Sequence, residues 1–359
     1  MKNIYQNQYR SFISFLVVVA IIFVIFLIRN KSKKNSKVIA EGFVGSERAY
    51  NTPEDIYDAF YASIYDQLFH IKMKNEFEIQ ELHGYFLSQH KDRDNVNILD
   101  LGCGTGHHLS VLGESFSNTT GIDQSEQMLK VARDRCANST LIHDDFMTTT
   151  RLAEATYSHI LCYYFTIYYV EDKRELANRV GHWLKPGGVF AVHVVNRSKF
   201  DPILNAASPF PGFGVQKYSD RRITESRLVF NKFNYHSNFV AGQKNMIDQM
   251  DNPGQTKYTD EMEFRETFRF KKNNRVRSHV HKLKMPKIKE IIKVVEEAGL
   301  RYIGNSDLLR GDCEYQYILY FKKDKDKKKT DNNKYGNIDR EQAVIRPMND
   351  ESQRQLWGN

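Results

Sequence analysis

The 359-residue chain has four cysteines, and none of them is spaced for a disulfide framework or a metal site. They are far apart, at Cys103, Cys136, Cys162 and Cys313, and form no C-x-x-C pair. Scattered cysteines are typical of a reducing compartment, where the thiol is a small buried apolar group. The sequence therefore predicts neither a disulfide-rich secreted fold nor a cysteine metal centre.

The centre of the chain has no excess of positive over negative residues, although the whole chain has a formal net charge of +8. Residues 29–37 contribute +5, and residues 322–329 contribute a net +4 from six lysines and two aspartates. The remaining residues therefore have a net charge of −1. Because nucleic-acid binding needs clustered positive charge, we do not expect a nucleic-acid partner.

One long apolar run, residues 11–28, contains no charged residue. As a helix it would be roughly 27 Å long, close to the ~30 Å hydrocarbon core of a bilayer. A cleaved signal peptide is the alternative, but its apolar region is usually shorter, at about 7–15 residues. We predict a retained transmembrane anchor, preceded by a tail at residues 1–10 and followed by a basic linker at residues 29–47.

The charges around this run predict its orientation. Lys2 and Arg10 precede it, whereas five basic residues follow within residues 29–37. The positive-inside rule then predicts a single-pass membrane protein whose large C-terminal domain is cytoplasmic. Residues 322–359 are rich in Lys, Asp and Asn and are predicted to be a disordered tail.

Residues 48–321 are predicted to fold as an α/β domain. Apolar runs that predict strands lie at residues 97–101, 119–123, 140–145, 159–164 and 189–195, and the segment L-K-P-G-G before the last of them predicts a turn. Helical patterns begin near His107 and cover residues 125–136 and 172–183. Strands and helices that alternate at this spacing predict a doubly wound, mostly parallel sheet.

Residues 200–284 interrupt this alternation. Period-two patterns at residues 227–236, 262–270 and 275–283 predict antiparallel strands. A helical pattern at residues 287–298 and a strand at residues 315–321 follow. The pattern therefore predicts an antiparallel insertion, after the fifth strand, that forms a lid or an acceptor pocket.

Three glycines alternate directly after the first predicted strand, in D-L-G-C-G-T-G at residues 100–106. Their spacing differs from the G-x-G-x-x-G of dinucleotide folds, and Asp100 would repel a phosphate. Asp123, at the end of the second strand, can accept hydrogen bonds from ribose hydroxyls. These residues predict a ligand that has a ribose but no phosphate, and that is cationic or zwitterionic.

Four segments together resemble the motifs of class I S-adenosylmethionine-dependent methyltransferases. They are V-N-I-L-D-L-G-C-G-T-G, G-I-D-Q-S-E-Q-M-L, H-D-D-F and W-L-K-P-G-G-V-F, in this order. The likeness covers roughly residues 48–321 and is greatest to the small-molecule branch, including enzymes of large DNA viruses. It implies a seven-stranded Rossmann-like sheet and S-adenosylmethionine as cofactor.

The resemblance also implies which residues bind the cofactor. Ten residues are implied: Asp100, Gly102, Gly104, Gly106, Asp123, Gln124, Met128, Asp145, Phe146 and Tyr163. Asp100 would hold the ammonium group, Asp123 the ribose hydroxyls and Asp145 the adenine amino group. Asp144 is the alternative to Asp145.

Acceptor binding is predicted for Tyr65, Tyr168 and Asn196. Tyr65 belongs to a set at four-residue spacing, with Tyr57 and Tyr61, which predicts an aromatic helix face. That face is either a core stripe or a lid over the cofactor. His279 and His281 share one strand face, but without a third ligand two histidines do not predict a metal site, and no general base can be named from the sequence.

The absence of some known motifs restricts the classes of methyl acceptor that we expect. No Asn/Asp-Pro-Pro-Tyr follows the fourth predicted strand, no Pro-Cys nucleophile occurs there, and no Lys-Asp-Lys-Glu set is evident. The sequence therefore predicts a membrane-anchored methyltransferase that acts on a small molecule, a lipid or a membrane-proximal protein. The alternative is a non-catalytic, membrane-tethered scaffold that binds S-adenosylmethionine.

Overall fold

The computed structural model describes residues 48–84, 95–200, 202, 223–241, 260–311 and 313–325. The predicted tail at residues 1–10, the anchor at 11–28 and the linker at 29–47 lie outside these ranges, as does the C-terminal tail beyond residue 325. Within the described ranges, no helix has both the length and the apolar character needed to span a bilayer.

The described residues form two sheets. The strands are β1 (Arg48–Tyr50), β2 (Asn97–Leu101), β3 (Asn118–Asp123), β4 (Thr140–His143), β5 (Tyr157–Cys162), β6 (Leu184–Val195), β7 (Glu225–Val229), β8 (Phe233–Ala241), β9 (Glu261–Phe270), β10 (Val276–Lys284), β11 (Leu300–Asp307) and β12 (Gln316–Lys323). The larger sheet has seven strands in the order β11-β12-β6-β5-β2-β3-β4. The five strands from β4 to β6 in this order run parallel. At the other edge β12 pairs antiparallel with β6, and β11 pairs antiparallel with β12, so β11 runs in the same direction as the five.

The strand order changes direction at β2, which lies between β3 and β5. In open α/β sheets the ligand crevice lies outside the carboxyl ends of the strands at such a point. The strands here are buried on both faces, with Leu99, Ile160 and Phe190 fully inaccessible to solvent. This explains their nearly continuous apolar sequence, and the predicted α/β fold with a mostly parallel sheet is confirmed.

Helices connect the strands of the larger sheet and precede it. They are α1 (Pro53–Ile56), α2 (Ala59–Phe69), α3 (Lys72–Leu82), α4 (His107–Ser115), α5 (Glu126–Arg135), α6 (Thr166–Tyr169), α7 (Lys173–Trp183) and α8 (Ile288–Glu297). Side-chain caps fix two of the predicted starts: Ser125 accepts from the Met128 N–H, and Asp172 accepts from the N–H groups of the first turn of α7.

The second sheet contains the predicted antiparallel insertion. Its order is β1-β10-β9-β8-β7, in which β7 to β10 are antiparallel neighbours. Two features were not predicted. β1 pairs in parallel with β10 at the edge of the sheet, and the pattern at residues 227–236 is a hairpin rather than one strand, closed where the Phe230 N–H donates to the Phe233 carbonyl at 2.9 Å.

Two predicted boundaries were wrong. β6 begins at Leu184, because the L-K-P-G-G segment is part of the strand and a register shift opposite Tyr157 absorbs the irregularity. β12 continues to Lys323, two residues past the predicted end of this strand, since Lys322 pairs with both β6 and β11. The Lys323 ammonium donates to the carbonyls of Gly181 and Leu184, which holds this end of the strand against α7.

Candidate functional site

A cavity of about 580 Å³ lies at the carboxyl ends of β2, β3 and β5. Residues of α2, α3 and the second sheet complete its walls. Ten of the thirteen residues predicted to bind cofactor or acceptor line it: Tyr65, Asp100, Gly102, Gly104, Asp123, Gln124, Met128, Asp145, Phe146 and Tyr163. The other three, Gly106, Tyr168 and Asn196, do not line this cavity.

The loop between β2 and α4 presents bare backbone to the cavity at Gly104. This residue has a φ of +55°, and an added Cβ would meet only the Met128 Cε, at 3.5 Å. Its N–H donates to the Asp123 Oδ2 at 2.8 Å, so the carboxylate of β3 fixes the loop. A ligand bound by Asp123 would therefore find open space and bare backbone beside Gly104.

Gly106 packs against a neighbouring helix and does not line the cavity, and its predicted contact with the cofactor stays a prediction. It directly precedes α4, and an added Cβ would lie 2.5 Å from the Cys136 Sγ and 3.0 Å from the Ala132 Cβ. The Cys136 thiol donates to the Gly106 carbonyl at 3.2 Å. Gly106 therefore allows α4 to pack against the C-terminal end of α5, and its effect on the cavity is indirect.

Two carboxyl groups with raised pKa values face the cavity. Asp100 is 3% exposed, and burial raises its pKa to about 8, with further contributions from the negative charges of Asp123 and Glu78. No hydrogen-bond donor in the described part of the chain reaches the Asp100 carboxylate. Burial also raises the pKa of Asp123, although hydrogen bonds from the Ser125 and Gly104 N–H groups oppose this. A cation bound between them would stabilise both charged forms.

The loop after β4 distinguishes the two candidate adenine partners. Asp144 accepts from the Thr149 hydroxyl at 2.6 Å and from the Asp145 N–H at 2.9 Å, and it does not line the cavity. Asp145 lines the cavity and uses its Oδ1 to accept from the Met147 N–H at 2.8 Å. The structure thus favours Asp145 as the group that faces a ligand, with Phe146 and Met147 as apolar wall.

Asp66 attaches α2 to the glycine loop. Its carboxylate accepts from the Thr105 hydroxyl at 2.7 Å and from the Arg135 guanidinium at 2.7 Å, and it lies 3.1 Å from the His107 Nε2. Burial would raise the pKa of Asp66, but these three partners outweigh it and hold the pKa well below its usual range. The interactions fix α2 above the loop.

The three tyrosines at four-residue spacing all line the cavity, but not on one continuous helix. Tyr57 ends α1, and Asp58 caps α2 by accepting from the Tyr61 N–H. Tyr61 is buried in the core, whereas Tyr57 and Tyr65 are half-buried. The aromatic face is therefore both a core stripe and a wall of the cavity.

Tyr163 lies at the methionine end implied by the resemblance. It is 3% exposed, and its hydroxyl has no hydrogen-bond partner among the described residues. The imidazole of His108 packs edge-on to its ring, with centroids 4.9 Å apart. A buried hydroxyl without a partner favours a polar ligand nearby.

Tyr168 and Asn196 are held by local hydrogen bonds away from the cavity. The Tyr168 hydroxyl is buried and accepts from the Val195 N–H at 2.7 Å, so it supports the end of β6. The Asn196 Oδ1 accepts from the Ser198 hydroxyl at 2.9 Å, and the Asn196 carbonyl accepts from the N–H groups of Lys199 and Phe200. Both residues shape the chain after β6 and neither lines the cavity, so their contact with the acceptor stays a prediction.

A buried charged cluster on α3 was not predicted. Lys74 and Glu78 form an ion pair at 2% and 0% exposure, and Glu78 also lies 2.8 Å from the His108 Nε2. Burial would raise the pKa of Glu78, but the Lys74 charge and the His108 hydrogen bond lower it to about 2. Lys74 and His108 both line the cavity, as does Asp100.

The sequence gives little indication that this charged cluster is buried. The i,i+4 spacing of Lys74 and Glu78 is also typical of solvent-exposed helix pairs, and only the fold buries them. The second sheet adds another buried group that the sequence did not reveal, formed by Glu266, His279 and His281. Of these, His281 reaches the cavity.

Comparison with known proteins identifies the segment that carries the glycine loop. Residues 98–188 match the family model described as a methyltransferase domain. This segment is therefore similar to methyltransferase domains. The fold of the chain is similar to that of an S-adenosylmethionine-dependent methyltransferase from Clostridium acetobutylicum, with a TM-score of 0.52, 18% identity, and coverage of 74% of this chain and 98% of that one. A methyltransferase from Streptomyces caelestis also has a TM-score of 0.52, with 14% identity, and coverage of 76% and 100%.

Curated relatives of this chain include two enzymes named for sugar substrates. The chain is 30% identical over 140 residues to dTDP-3-amino-3,4,6-trideoxy-alpha-D-glucopyranose N,N-dimethyltransferase of Streptomyces venezuelae, a match over 38% of this chain and 58% of the relative. It is 33% identical over 100 residues to dTDP-3-amino-3,6-dideoxy-alpha-D-glucopyranose N,N-dimethyltransferase of Streptomyces fradiae, over 27% and 38%. The matches thus span 58% and 38% of these relatives. Both are bacterial, and the likeness to enzymes of large DNA viruses stays a prediction.

Proposed function

We propose that this protein binds S-adenosylmethionine and transfers its methyl group to a small-molecule acceptor. The observation that carries the proposal is the convergence of Asp100, Asp123 and the bare backbone of Gly104 on one cavity. These groups fit a ligand with a cationic amino-acid end and a ribose. A dinucleotide fits less well, because its phosphates would face the Asp100 carboxylate.

The residues that line the cavity include a candidate partner for each part of S-adenosylmethionine. Asp100 would hold the ammonium group and Asp123 the ribose hydroxyls, while Lys74 offers charge to the carboxylate. Asp145 and Phe146 would hold the adenine. When bound, the cofactor supplies a methyl group already activated by the positive sulfur, so the protein contributes mainly alignment and exclusion of water. The aromatic rings of Tyr57 and Tyr65 favour positive charge nearby.

The acceptor is proposed to carry an amine or a hydroxyl group. The two sugar relatives are named as N,N-dimethyltransferases, and the aromatic wall formed by α2 and the second sheet suits an apolar ring. Residues 11–28 stay our predicted membrane anchor, with the domain on the cytoplasmic side. A lipid or a membrane-proximal protein is therefore included among the acceptors to be tested, and nucleic acid is not.

The test uses the full chain in detergent micelles and in lipid nanodiscs. Calorimetry with S-adenosylmethionine, S-adenosylhomocysteine and NAD measures cofactor choice, and release of S-adenosylhomocysteine measures turnover with an amino sugar nucleotide, a quinol, a small carboxylic acid and phosphatidylethanolamine. We expect binding of the first two compounds and turnover with at least one acceptor. Binding without turnover in either environment would favour the non-catalytic scaffold, and preference for NAD would refute the proposed cofactor.

Cofactor affinity is expected to increase with pH up to about pH 8. Burial raises the pKa of Asp100 to about 8, so the ligand-free carboxyl is largely protonated at pH 6–7. A bound ammonium group favours the charged form, and binding at these pH values must therefore release a proton. The dissociation constant should rise up to about tenfold for each pH unit below 8, by the same linkage.

Calorimetry in two buffers of different ionisation enthalpy measures the released proton directly. Asp100→Asn cannot release one, so its affinity should be weaker and nearly independent of pH between 6 and 8. An unaltered protein whose affinity is constant over this interval, with no proton released, would show that Asp100 is not the partner of the cation.

A further inference from the structure

Glu266 on β9 is a fully buried carboxylate surrounded by donors. Its Oε1 accepts from the Tyr235 hydroxyl at 2.7 Å. Its Oε2 accepts from the Tyr61 hydroxyl at 2.7 Å and lies 3.1 Å from the His279 Nδ1 and 2.7 Å from the His281 Nε2. Burial would raise the pKa of Glu266, but the two histidines lower it to about 2, so the group is ionised and only accepts.

The ionised carboxylate determines how the two histidines hold their protons. His281 must donate from Nε2 to Glu266, and in the neutral ring this leaves the Nδ1 as an acceptor. His279 must donate from Nδ1, because the Arg277 Nε–H donates to its Nε2 at 2.6 Å. Arg277 is itself paired with Asp58 at 2.8 Å.

Glu266, His279 and His281 also have the spacing of a metal site, with ligand atoms within 4.8 Å of one another. A metal would need the lone pair of the His279 Nδ1, which would put the ring proton on Nε2. The Arg277 Nε–H occupies that side and cannot become an acceptor. The arrangement therefore favours a hydrogen-bond network over a metal centre.

One branch of this network reaches the cavity. The His281 Nδ1 lies 2.6 Å from the Tyr169 hydroxyl, which lies 3.0 Å from the Tyr57 hydroxyl. Tyr57, Tyr169 and His281 all line the cavity. The Tyr57 carbonyl accepts from the Ser125 hydroxyl at 2.6 Å, two residues after Asp123. The branch thus ends beside the part of the site assigned to the cofactor.

We propose that Tyr169, His281 and Glu266 form a proton relay that removes a proton from the methyl acceptor. The inference rests on the proposed function and supplies the base that it lacks. The acceptor's N–H or O–H bond breaks as its proton passes to the Tyr169 oxygen, and the Tyr169 proton passes to the His281 Nδ1. The resulting imidazolium is paired with the Glu266 carboxylate. The freed lone pair forms the new bond to the methyl carbon as the bond between that carbon and the cofactor sulfur breaks, and the electron pair of the broken bond stays on the sulfur of the departing S-adenosylhomocysteine.

The surrounding groups support this direction of transfer. Burial raises the pKa of Tyr169 and of Tyr57 well above 10, so neither phenol acts by ionising alone. Besides Glu266, the titratable or charged groups around His281 in the described chain are Tyr57 and Tyr61 near α2, Tyr169 on α6, Tyr235 on β8, and His279 with Arg277 on β10. Glu266 is the only ionised carboxylate within hydrogen-bond reach of His281 among the described residues. Tyr169 and His281 are the catalytic residues in this scheme, and Glu266 is a positioning residue.

The test compares Tyr169→Phe with Tyr235→Phe in the full chain. Each change removes one buried hydroxyl of the network, but Tyr235 does not line the cavity. The amine probe is dTDP-3-amino-3,4,6-trideoxy-alpha-D-glucopyranose. At pH 6.5 we expect kcat to fall about 100-fold in Tyr169→Phe, which is within the usual range of a general-base effect. We expect kcat to fall about tenfold in Glu266→Gln and less than about threefold in Tyr235→Phe.

The pH profile separates a relay from a structural effect. Above the pKa of the probe's own amine, the acceptor arrives without the extra proton, so Tyr169→Phe should recover to within about threefold of the unaltered protein. Calorimetry should show unchanged S-adenosylmethionine affinity in both Phe variants. A loss that is equal in the two variants, or equal at every pH, would overturn the relay.

A second measurement does not depend on the acceptor. Two-bond ¹H–¹⁵N correlations of ¹⁵N-histidine, assigned with His281→Gln, should show that the neutral ring of His281 carries its proton on Nε2. A proton on Nδ1 would overturn the relay regardless of kinetics. No methylation of the probe at any pH by a protein that binds the cofactor would instead count against the proposed amine acceptor, and the tautomer would then decide the relay.

Discussion

Asp123→Ala is expected to weaken S-adenosylmethionine binding by at least about 100-fold. The carboxylate would lose its hydrogen bonds to the ribose hydroxyls, and hydrogen bonds to a charged group contribute about 1.5–3 kcal/mol each. Two such bonds correspond to roughly 10²-fold to 10⁴-fold in affinity. The glycine loop would also lose its anchor, since Asp123 accepts from the Gly104 and Ser125 N–H groups. Calorimetry on the full chain measures the effect.

Asp144→Ala is the matched control for this variant. Asp144 is a carboxylate of the neighbouring loop, where it accepts from the Thr149 hydroxyl, and it does not line the cavity. Its removal should change the affinity less than about threefold, because only local turn contacts are lost. Equal losses in the two variants would mean that the cavity has been assigned to the wrong ligand. A folded Asp123→Ala protein with unchanged affinity would have the same meaning.

The elements that were predicted well are those fixed by local chemistry. α5 and α7 begin at the predicted residues because Ser125 and Asp172 cap them, and a cap is readable from a few neighbouring residues. β2, β3 and β5 are buried on both faces, so their apolar runs are nearly continuous. The positions of Asp100 near the end of β2, Asp123 at the end of β3 and Asp145 just after β4 could be predicted, because the carboxyl ends of these strands form the edge where ligands bind.

What the sequence did not reveal depends on contacts between distant residues. Glu266 acts on His281 because β9 and β10 pair in a particular register, and Tyr169 joins them from a helix far away in the chain. Periodicity shows that these strands alternate, but it does not show which buried positions face each other. For the same reason, Lys74 and Glu78 have the spacing of an ordinary exposed pair until α3 is packed against α4.

The glycine loop shows the same limit within a single motif. Gly104 and Gly106 have positive φ and equivalent positions in an alternating pattern. Only the packing shows that Gly104 faces the cavity while Gly106 faces α5. The resemblance to a family implies that both glycines contact the cofactor. A match to a motif covers the motif as a whole and contains no information on what packs around each residue.

Gly106→Ala is therefore expected to destabilise the fold, whereas Gly104→Ala should mainly weaken binding. A Cβ at Gly106 would lie 2.5 Å from the Cys136 Sγ, and overpacking of this kind costs about 1–3 kcal/mol. The left-handed backbone adds about 1–2 kcal/mol in either variant. Thermal unfolding should show a drop of about 4–20 °C for Gly106→Ala, at roughly 2–4 °C per kcal/mol. Gly104→Ala should lose only about 2–8 °C by the same conversion, and at least about tenfold in cofactor affinity.

A double variant isolates the clash from the backbone strain. Cys136→Ala removes the sulfur that a Cβ at Gly106 would meet, so Gly106→Ala should be less destabilising in the Cys136→Ala background than in the unaltered protein. The same cycle with Gly104→Ala should be additive, because an added Cβ there has no contact with Cys136. Additivity in both cycles would mean that the strained backbone alone accounts for Gly106, and that α4 and α5 can separate enough to admit a methyl group. If the effect on stability is non-additive with Cys136→Ala for Gly106→Ala alone, Gly106 serves helix packing and Gly104 is left as the glycine that faces the ligand.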